Sequence, residues 1–254
     1  MNTDTHTEDE TKKTPLIERL FGTGAHFGFA KSRRHPTAAP YIFGNKQGTD
    51  IIDLETTVES LNKAKEFLKE AGKQGKIILF VGTKEETAET LKGHASAIDA
   101  PIVVNRWVGG MLTNFSEIKK RIQRLVELTQ KGESGELERK YTKKERVILG
   151  RELNKLSHNF AGIRDMERLP HVLVVVDPRH NSIAVKEANT LNSPVVGITN
   201  SDANMNLLAH PIVVNDGIRA SVSIILEELV AAYEEGKAEF VPSKKEERRG
   251  GRRN

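Results

Sequence analysis

Five short segments of this 254-residue chain combine residue types that could do chemistry. Gly22-x-Gly24-x-x-x-Gly28 has the look of a glycine loop for a dinucleotide pyrophosphate. That chemistry needs a strand before the loop and a helix after it, so that the helix N-terminus meets the phosphate. Here a short helix over Pro15 to Leu20 is expected before the glycines, and the basic stretch from Lys31 follows them. A glycine linker is the better reading. Val174-Val175-Val176-Asp177 resembles the strand-end aspartate that holds magnesium in nucleotide hydrolases. The partner loop, G-x-x-x-x-G-K-[ST], is absent from the chain, so half of that machinery is missing. Asp177, just before Pro178, reads as a loop starter or helix cap. Val81-Gly82-Thr83-Lys84 falls at a strand end, where α/β folds bind ligands, and Thr83 as a helix cap accounts for it without one.

The remaining two segments are cationic. Lys31-Ser32-Arg33-Arg34-His35-Pro36 is a basic loop near Tyr41, and Arg106-Trp107-Val108-Gly109-Gly110 sets an arginine beside the only tryptophan, followed by two glycines. Arginine pairs with phosphate, and Arg and Trp both stack on bases. These residues are therefore candidate RNA contacts. For Trp107, a buried anchor is the competing reading.

Other chemistries find little support. With no cysteine, disulfides, thiolate metal sites and cysteine nucleophiles are excluded. The eight histidines include no pair at metal-ligand spacing, and there is no G-x-S-x-G elbow. No catalytic residue, cofactor or metal is expected.

The elements that must position these segments alternate. After the glycines, Tyr41 to Phe43 and Ile51 to Leu54 flank Asn45-Lys46-Gln47-Gly48, a hairpin signature. A helix ending at Gly72 is expected to open on a Thr56/Glu59 capping box. Uninterrupted apolar runs at Ile77 to Val81, Ile102 to Val104, Val172 to Val176, Val195 to Ile198 and Ile212 to Val214 read as buried parallel strands. Helices are expected from a Thr83/Glu86 box to about Ile98, over Ile183 to Leu191, and over Ile218 to Glu235 with Asp216 as its cap. The fold class that follows is α/β, a flavodoxin-like or Rossmann-like doubly wound parallel sheet of about five strands.

One insertion breaks the alternation. Phe115, Ile118, Ile122 and Leu125, and then Leu149, Leu153, Leu156, Phe160 and Ile163, recur at the 3 and 4 spacing of heptad helices. Gly132 to Gly135 supplies a turn, and Thr142 with Glu145 a capping box. This predicts an antiparallel coiled-coil hairpin projecting from the body. Between Ser116 and Arg168 there are 14 Lys+Arg against 9 Asp+Glu, whereas the whole chain has a net charge of only +4. Such local concentration of positive charge is the footprint of a polyanion partner. The candidate contacts here are Lys119, Lys120, Arg124, Lys143, Lys144 and Arg146, and a solvated charged face is the plain alternative. The expected organisation is an acidic arm over 1–14, an α/β domain from 15–112 and 169–236, the hairpin over 113–168, and a basic tail over 237–254. No run of about 20 apolar residues that could span a bilayer is present, and the polar N-terminus does not read as a secretory signal. A cytoplasmic protein is expected.

At Arg106 to Phe115 the sequence R-W-V-G-G-M-L-T-N-F resembles the R-W-x-G-G-x-L-T-N-F signature of the second protein of the bacterial small ribosomal subunit. Gly24-Ala25-His26-Phe27-Gly28, Pro40-Tyr41-Ile42-Phe43-Gly44, Ile51-Ile52-Asp53-Leu54 and Phe80-Val81-Gly82-Thr83-Lys84 resemble further motifs of that family, in the same order, as do Leu169-Pro170, Val175-Val176-Asp177, Ile183-Ala184-Val185 and Asn215-Asp216. The resemblance runs from about Leu16 to Gly236. It implies a flavodoxin-like domain with a protruding coiled-coil hairpin, contacts with small-subunit rRNA and neighbouring ribosomal proteins, and no catalysis. In some bacteria it also implies docking of the large mRNA-binding ribosomal protein one. The chain departs from the family at Arg33-Arg34-His35-Pro36, where R-W-N-P is common, and at Thr199 to Asn204, where D-T-N-x-D-P is common. A flavodoxin-like nucleotide-binding enzyme and a hairpin adaptor for other proteins are the alternatives from other functional classes.

Overall fold

The computed structural model describes residues 15–240; the acidic arm and nearly all of the basic tail lie outside that range. A first helix, α1 (15–22), leads into a three-stranded antiparallel sheet of β1 (Phe27–Ala30), β2 (Ile42–Lys46) and β3 (Thr49–Ile52), in the order β1-β3-β2. The β2–β3 hairpin turns at Gln47 and Gly48, both left-handed, with φ of 51° and 82°. That turn matches the right-handed twist of the flanking strands. β1 is a strand the sequence reading did not assign.

The main sheet is built from β4 (Ile78–Val81), β5 (Ile102–Val103), β6 (Val172–Val176), β7 (Val195–Thr199) and β8 (His210–Val213). All neighbouring pairs are parallel and the order is β5-β4-β6-β7-β8. Counted along the chain this is 2-1-3-4-5, the flavodoxin-like winding. Alternate side chains feed two apolar layers. Ile78, Phe80, Val172, Val174, Val176, Val196 and Ile198 face α1, α2 (Leu54–Lys73), α3 (Glu85–Ala97) and α8 (Arg219–Ala238). Leu79, Val81, Leu173, Val175 and Val195 face α7 (Ser182–Thr190), the root of the helical insertion and the small sheet. Burial on both faces explains why these strands read as unbroken apolar runs rather than alternating ones.

Helices α2 and α8 touch backbone to backbone. A Cβ built on Gly72 would lie 2.5 Å from the carbonyl oxygen of Tyr233, and one on Gly236 would overlap the carbonyl of Lys69. Glycine is required at both positions by this close approach. Ion pairs Lys69–Glu235 (2.9 Å) and Lys73–Glu239 (2.8 Å) run along the rim of the same crossing.

The insertion comprises α4 (Phe115–Glu133), a one-turn helix α5 (Glu136–Lys140) and α6 (Lys143–Phe160). Ile118, Ile122, Leu125 and Leu128 of α4 pack against Leu156 and Phe160, with Leu149 and Leu153 partly covered. The capping box is present: the Thr142 amide donates to Glu145 Oε2 (2.8 Å), and the Glu145 amide to Thr142 Oγ1 (3.5 Å). Arg124 forks onto Glu152 across the hairpin, at 3.1 and 3.2 Å.

Three expected caps are different. α2 starts at Leu54 and is capped by Asp53, whose Oδ1 accepts from the Glu55 amide (3.0 Å); Thr56 instead donates its hydroxyl to Asp53 Oδ2 (2.7 Å). Aspartate one turn earlier wins because its carboxylate meets two free amides and the helix dipole together. α3 starts at Glu85 with no side-chain cap, and the Thr83 hydroxyl points the other way, donating to Asn181 Oδ1 (2.8 Å). Asp216 does not cap α8, which begins three residues later; it is 1% exposed.

Candidate nucleic-acid interface

The basic loop folds over the carboxyl ends of β6 and β7. It is tied there by backbone: the His35 amide donates to the Ser201 carbonyl (2.8 Å), and the Met205 amide to Thr37 Oγ1 (2.9 Å). His35 Nδ1 meets the Thr37 hydroxyl at 2.8 Å and caps the short 3-10 segment Pro36–Tyr41. The imidazole therefore orders the loop. Lys31 is exposed at its start. Arg33 lies over the Phe29 ring (4.1 Å) and reaches Asp202 Oδ2 (3.4 Å), with its side chain still 54% exposed. Arg34 turns inward to within 3.6 Å of Asp50 Oδ1, a carboxylate with no exposure. A buried charge of this kind needs its partner, so Arg34 is committed to the fold. Arg179, which the sequence reading did not single out, joins the same surface: it donates to Asp202 Oδ2 (2.7 Å) and is 53% exposed.

Around Arg106 the geometry resolves the question of Trp107. Its side chain is in the core at 7% exposure, and the indole N–H donates to Glu187 Oε1 (3.1 Å). It offers no face for a base to stack on, so the stacking reading is corrected to that of a buried anchor. The same Oε1 accepts from the Gly110 amide (2.8 Å), while Glu187 Oε2 accepts from the Leu112 amide (3.0 Å), the Thr113 amide (3.2 Å) and the Thr113 hydroxyl (3.2 Å). One carboxylate on α7 thus organises the whole R-W-V-G-G-M-L-T segment at the root of the hairpin. Burial pushes its carboxyl up, but the hydrogen bonds from Trp107, Leu112, Gly110 and Thr113 outweigh that and hold it below the usual carboxylate range. Gly110, at φ 85°, makes the turn that brings these amides together. Glu187 was legible only as a charge on the otherwise apolar face of Ala184, Val185 and Ala188. Arg106, beside the anchor, is exposed.

On the hairpin the candidate cations divide in two. Arg124 is spent on Glu152, Lys120 on Glu117 (2.6 Å), and Lys119 lies 5.5 Å from the Phe115 ring centroid. Lys143 and Lys144 are exposed and form no ion pair among the described residues, and the same is true of Arg121, Arg151 and Lys155. Arg146 is half-buried, with its Nε unpartnered among the described residues. These cations form an outward surface on α4 and α6, well separated in sequence from the loop at Arg33.

The crevice where an α/β enzyme would bind phosphate is occupied by the protein's own charges. Lys84 pairs with Asp177, whose Oδ1 accepts from the His180 amide (2.9 Å). Asp177 is therefore the turn starter expected of it, held left-handed at φ 53°. Burial pulls the Lys84 ammonium down, while Asp177, Asp216 and Asp202 more than restore it. Asp216 is buried, and burial, helped by Asp177, pushes its carboxyl up to about 7 against the opposing pull of Lys84 and a hydrogen bond from Asn200. A lysine already neutralised by Asp177 offers no free charge to a phosphate group. The Gly24–Gly28 segment serves packing: Gly28 lies on β1, where a Cβ would be 3.1 Å from the Asp50 carbonyl. Among the described residues no three carboxylate or imidazole groups converge to hold a metal ion.

Residues 20–236 match the family model for ribosomal protein S2. The chain belongs to the ribosomal protein S2 family. Curated relatives of this S2-family chain agree along most of its length. It is 42% identical over 222 residues to "Small ribosomal subunit protein uS2" of Dictyoglomus thermophilum, covering 87% of this chain and 90% of the relative. It is 41% identical over 220 residues to the protein of the same name from Nocardia farcinica, covering 87% and 77%. It is 40% identical over 231 residues to "Small ribosomal subunit protein uS2c" of Rhodomonas salina, covering 91% and 95%. S2 is a structural, non-enzymatic family, in keeping with a crevice closed by its own ion pair. No helix among the described residues is long and apolar enough to cross a membrane.

Proposed function

We propose that this chain is a structural constituent of the small ribosomal subunit, which holds small-subunit rRNA and neighbouring ribosomal proteins in position during translation. The observation that carries this reading is the family match over residues 20–236, joined by relatives whose names place them in that subunit. The mechanism is positional. The α/β body, a sheet covered on both faces, is a rigid spacer; the strand-end loop and the outer face of the hairpin present cations to phosphate. Lys31, Arg33, Arg106, Lys119, Lys143, Lys144 and Arg146 are the proposed RNA contacts, with Arg179 added by the geometry. Arg34, His35, Lys120 and Arg124 support the same surfaces through their internal partners. Each phosphate contact contributes roughly one unit to the slope of log affinity against log salt, and such contacts position the protein without reading sequence.

Docking of the large mRNA-binding ribosomal protein one is a finer proposal, supported by exposed aromatic side chains at Phe21, Phe27 and Phe43, the last 82% exposed. Aromatic residues are enriched at protein interfaces. The protein acts with the subunit in the cytoplasm.

Sedimentation of a cell lysate through a sucrose gradient tests the main reading. The protein should follow the small subunit both at normal magnesium and after magnesium is lowered to split the subunits. Finding it only at the top of the gradient, with small subunits otherwise complete, would overturn the proposal. Adding the Phe43→Ala variant to the same experiment tests the docking of protein one, which should then leave the small-subunit fractions while this chain stays.

A further inference from the structure

A crevice of about 460 Å³ lies between the basic loop and the carboxyl ends of β6 and β7. That volume is in the range of pockets that take a small organic group. Its lower part is apolar, formed by Pro178 and the buried Val185 and Leu208, with the more exposed Leu207 nearer the surface; its rim carries Arg33 and Arg179. Three features make it a built site. First, Gly197 lets the floor close on the strand, because a Cβ there would lie 2.6 Å from Leu208 Cδ1 and 3.1 Å from Pro178 Cγ. Second, both sides are anchored, one through His35 to Ser201 and the other through the left-handed turn at Asp177. Third, the Asp202 carboxylate bridges Arg33 and Arg179, holding two guanidinium groups at one edge while each stays about half exposed. Arg34 is neutralised by Asp50, so two guanidinium groups face one carboxylate and the rim remains net positive by one charge.

An anion at the rim and a flat apolar body below it are the two halves of a nucleotide. An acidic peptide would satisfy the rim and leave the apolar floor wet. We propose that this crevice receives one unstacked nucleotide of small-subunit rRNA, its phosphate on Arg33 and Arg179 and its base against Pro178, Val185, Leu207 and Leu208. This rests on the RNA-binding function proposed above and names one recognition element within it. Single-stranded and bulged nucleotides are the form in which RNA exposes a base for such an insertion.

The test uses the full-length protein and small subunits reconstituted without it, with affinity measured over a salt series. Leu207→Trp fills the crevice without touching a charge, and Leu207 is 41% exposed, so the fold tolerates it; its urea midpoint should equal that of the parent. The expected result is an affinity lower by roughly 10-fold, the worth of one buried apolar contact of this size, with an unchanged salt slope. Arg33→Ala and Arg179→Ala should each reduce the slope, together by about one, because they share a single phosphate. If Leu207→Trp binds like the parent while the arginine variants flatten the slope, the crevice proposal is overturned and the RNA reading stands. If none of the three variants changes binding, RNA contact at this face fails as well. A photoreactive benzoylphenylalanine at position 207 gives an independent readout: cross-linking to a single rRNA nucleotide supports the proposal, and cross-linking to a ribosomal protein overturns it.

Discussion

Glu187→Gln is the substitution that most directly tests how the R-W-V-G-G-M-L-T segment is held. The change is nearly isosteric, so it removes no volume and opens no cavity. It does replace one acceptor oxygen by an amino group. If that group stands in place of Oε1, it faces the Trp107 indole N–H and the Gly110 amide. If it stands in place of Oε2, it faces the Leu112 and Thr113 amides. Either way two buried donors are set against a donor. Hydrogen bonds to a charged group contribute about 1.5–3 kcal/mol each, and buried donors left unpaired cost at least as much as the bond, so a loss of about 3–5 kcal/mol is expected. Equilibrium urea unfolding reads this twice. Fluorescence reports the root of the hairpin, since Trp107 is the only tryptophan, and far-ultraviolet circular dichroism reports the body. At an m-value of about 2–3 kcal/mol/M, the fluorescence midpoint should fall by roughly 1–2 M, with the emission maximum shifted to the red before the body unfolds. A variant whose two midpoints and emission maximum coincide with those of the parent would refute the claim that this carboxylate organises the segment. The folded carboxyl is held low, so its contribution is full above the ordinary glutamate range and is lost as pH falls through the folded value.

Three further outcomes are expected. Gly236→Ala should cost about 3 kcal/mol or more in thermal or urea unfolding, because its methyl group overlaps the Lys69 carbonyl and α2 and α8 must part; a loss below 1 kcal/mol would mean that the crossing is softer than its geometry. Arg34→Ala should destabilise by about 3–5 kcal/mol by stranding the buried Asp50 carboxylate, and Arg34→Ala with Asp50→Asn should recover most of it; no recovery would show that Arg34 acts elsewhere. For Asp216, the folded carboxyl titrates at about 7 against an ordinary 3.8. Between those values the folded chain keeps a proton that the unfolded chain has released, so stability falls as pH rises through that window, by about 4 kcal/mol in all. Asp216→Asn should flatten this dependence in urea midpoints measured from pH 5 to 8, and equal slopes in the two proteins would contradict it.

Much of the architecture was legible in sequence because burial writes itself in composition. A strand covered on both faces must be apolar at every position, so Val172–Val176 announces itself, and so does the heptad spacing of Ile118, Ile122 and Leu125 against Leu156 and Phe160. The Thr142/Glu145 capping box was equally readable, since all its partners lie within three residues. Family membership too was carried by local strings of residues. What the chain could not declare by itself was every choice between partners distant in sequence. Thr83 had a plausible local role as a cap and took Asn181 instead, 98 residues away. Trp107 could have faced RNA or the core, and Glu187, 80 residues on, decided for the core. Arg33 and Arg34 are adjacent and identical, yet one stands at the surface beside Asp202 and the other is drawn in to Asp50. Hydrophobic periodicity is a property of one segment, and charge pairing in a low-dielectric interior is a property of two segments that only the closed fold brings within reach of each other.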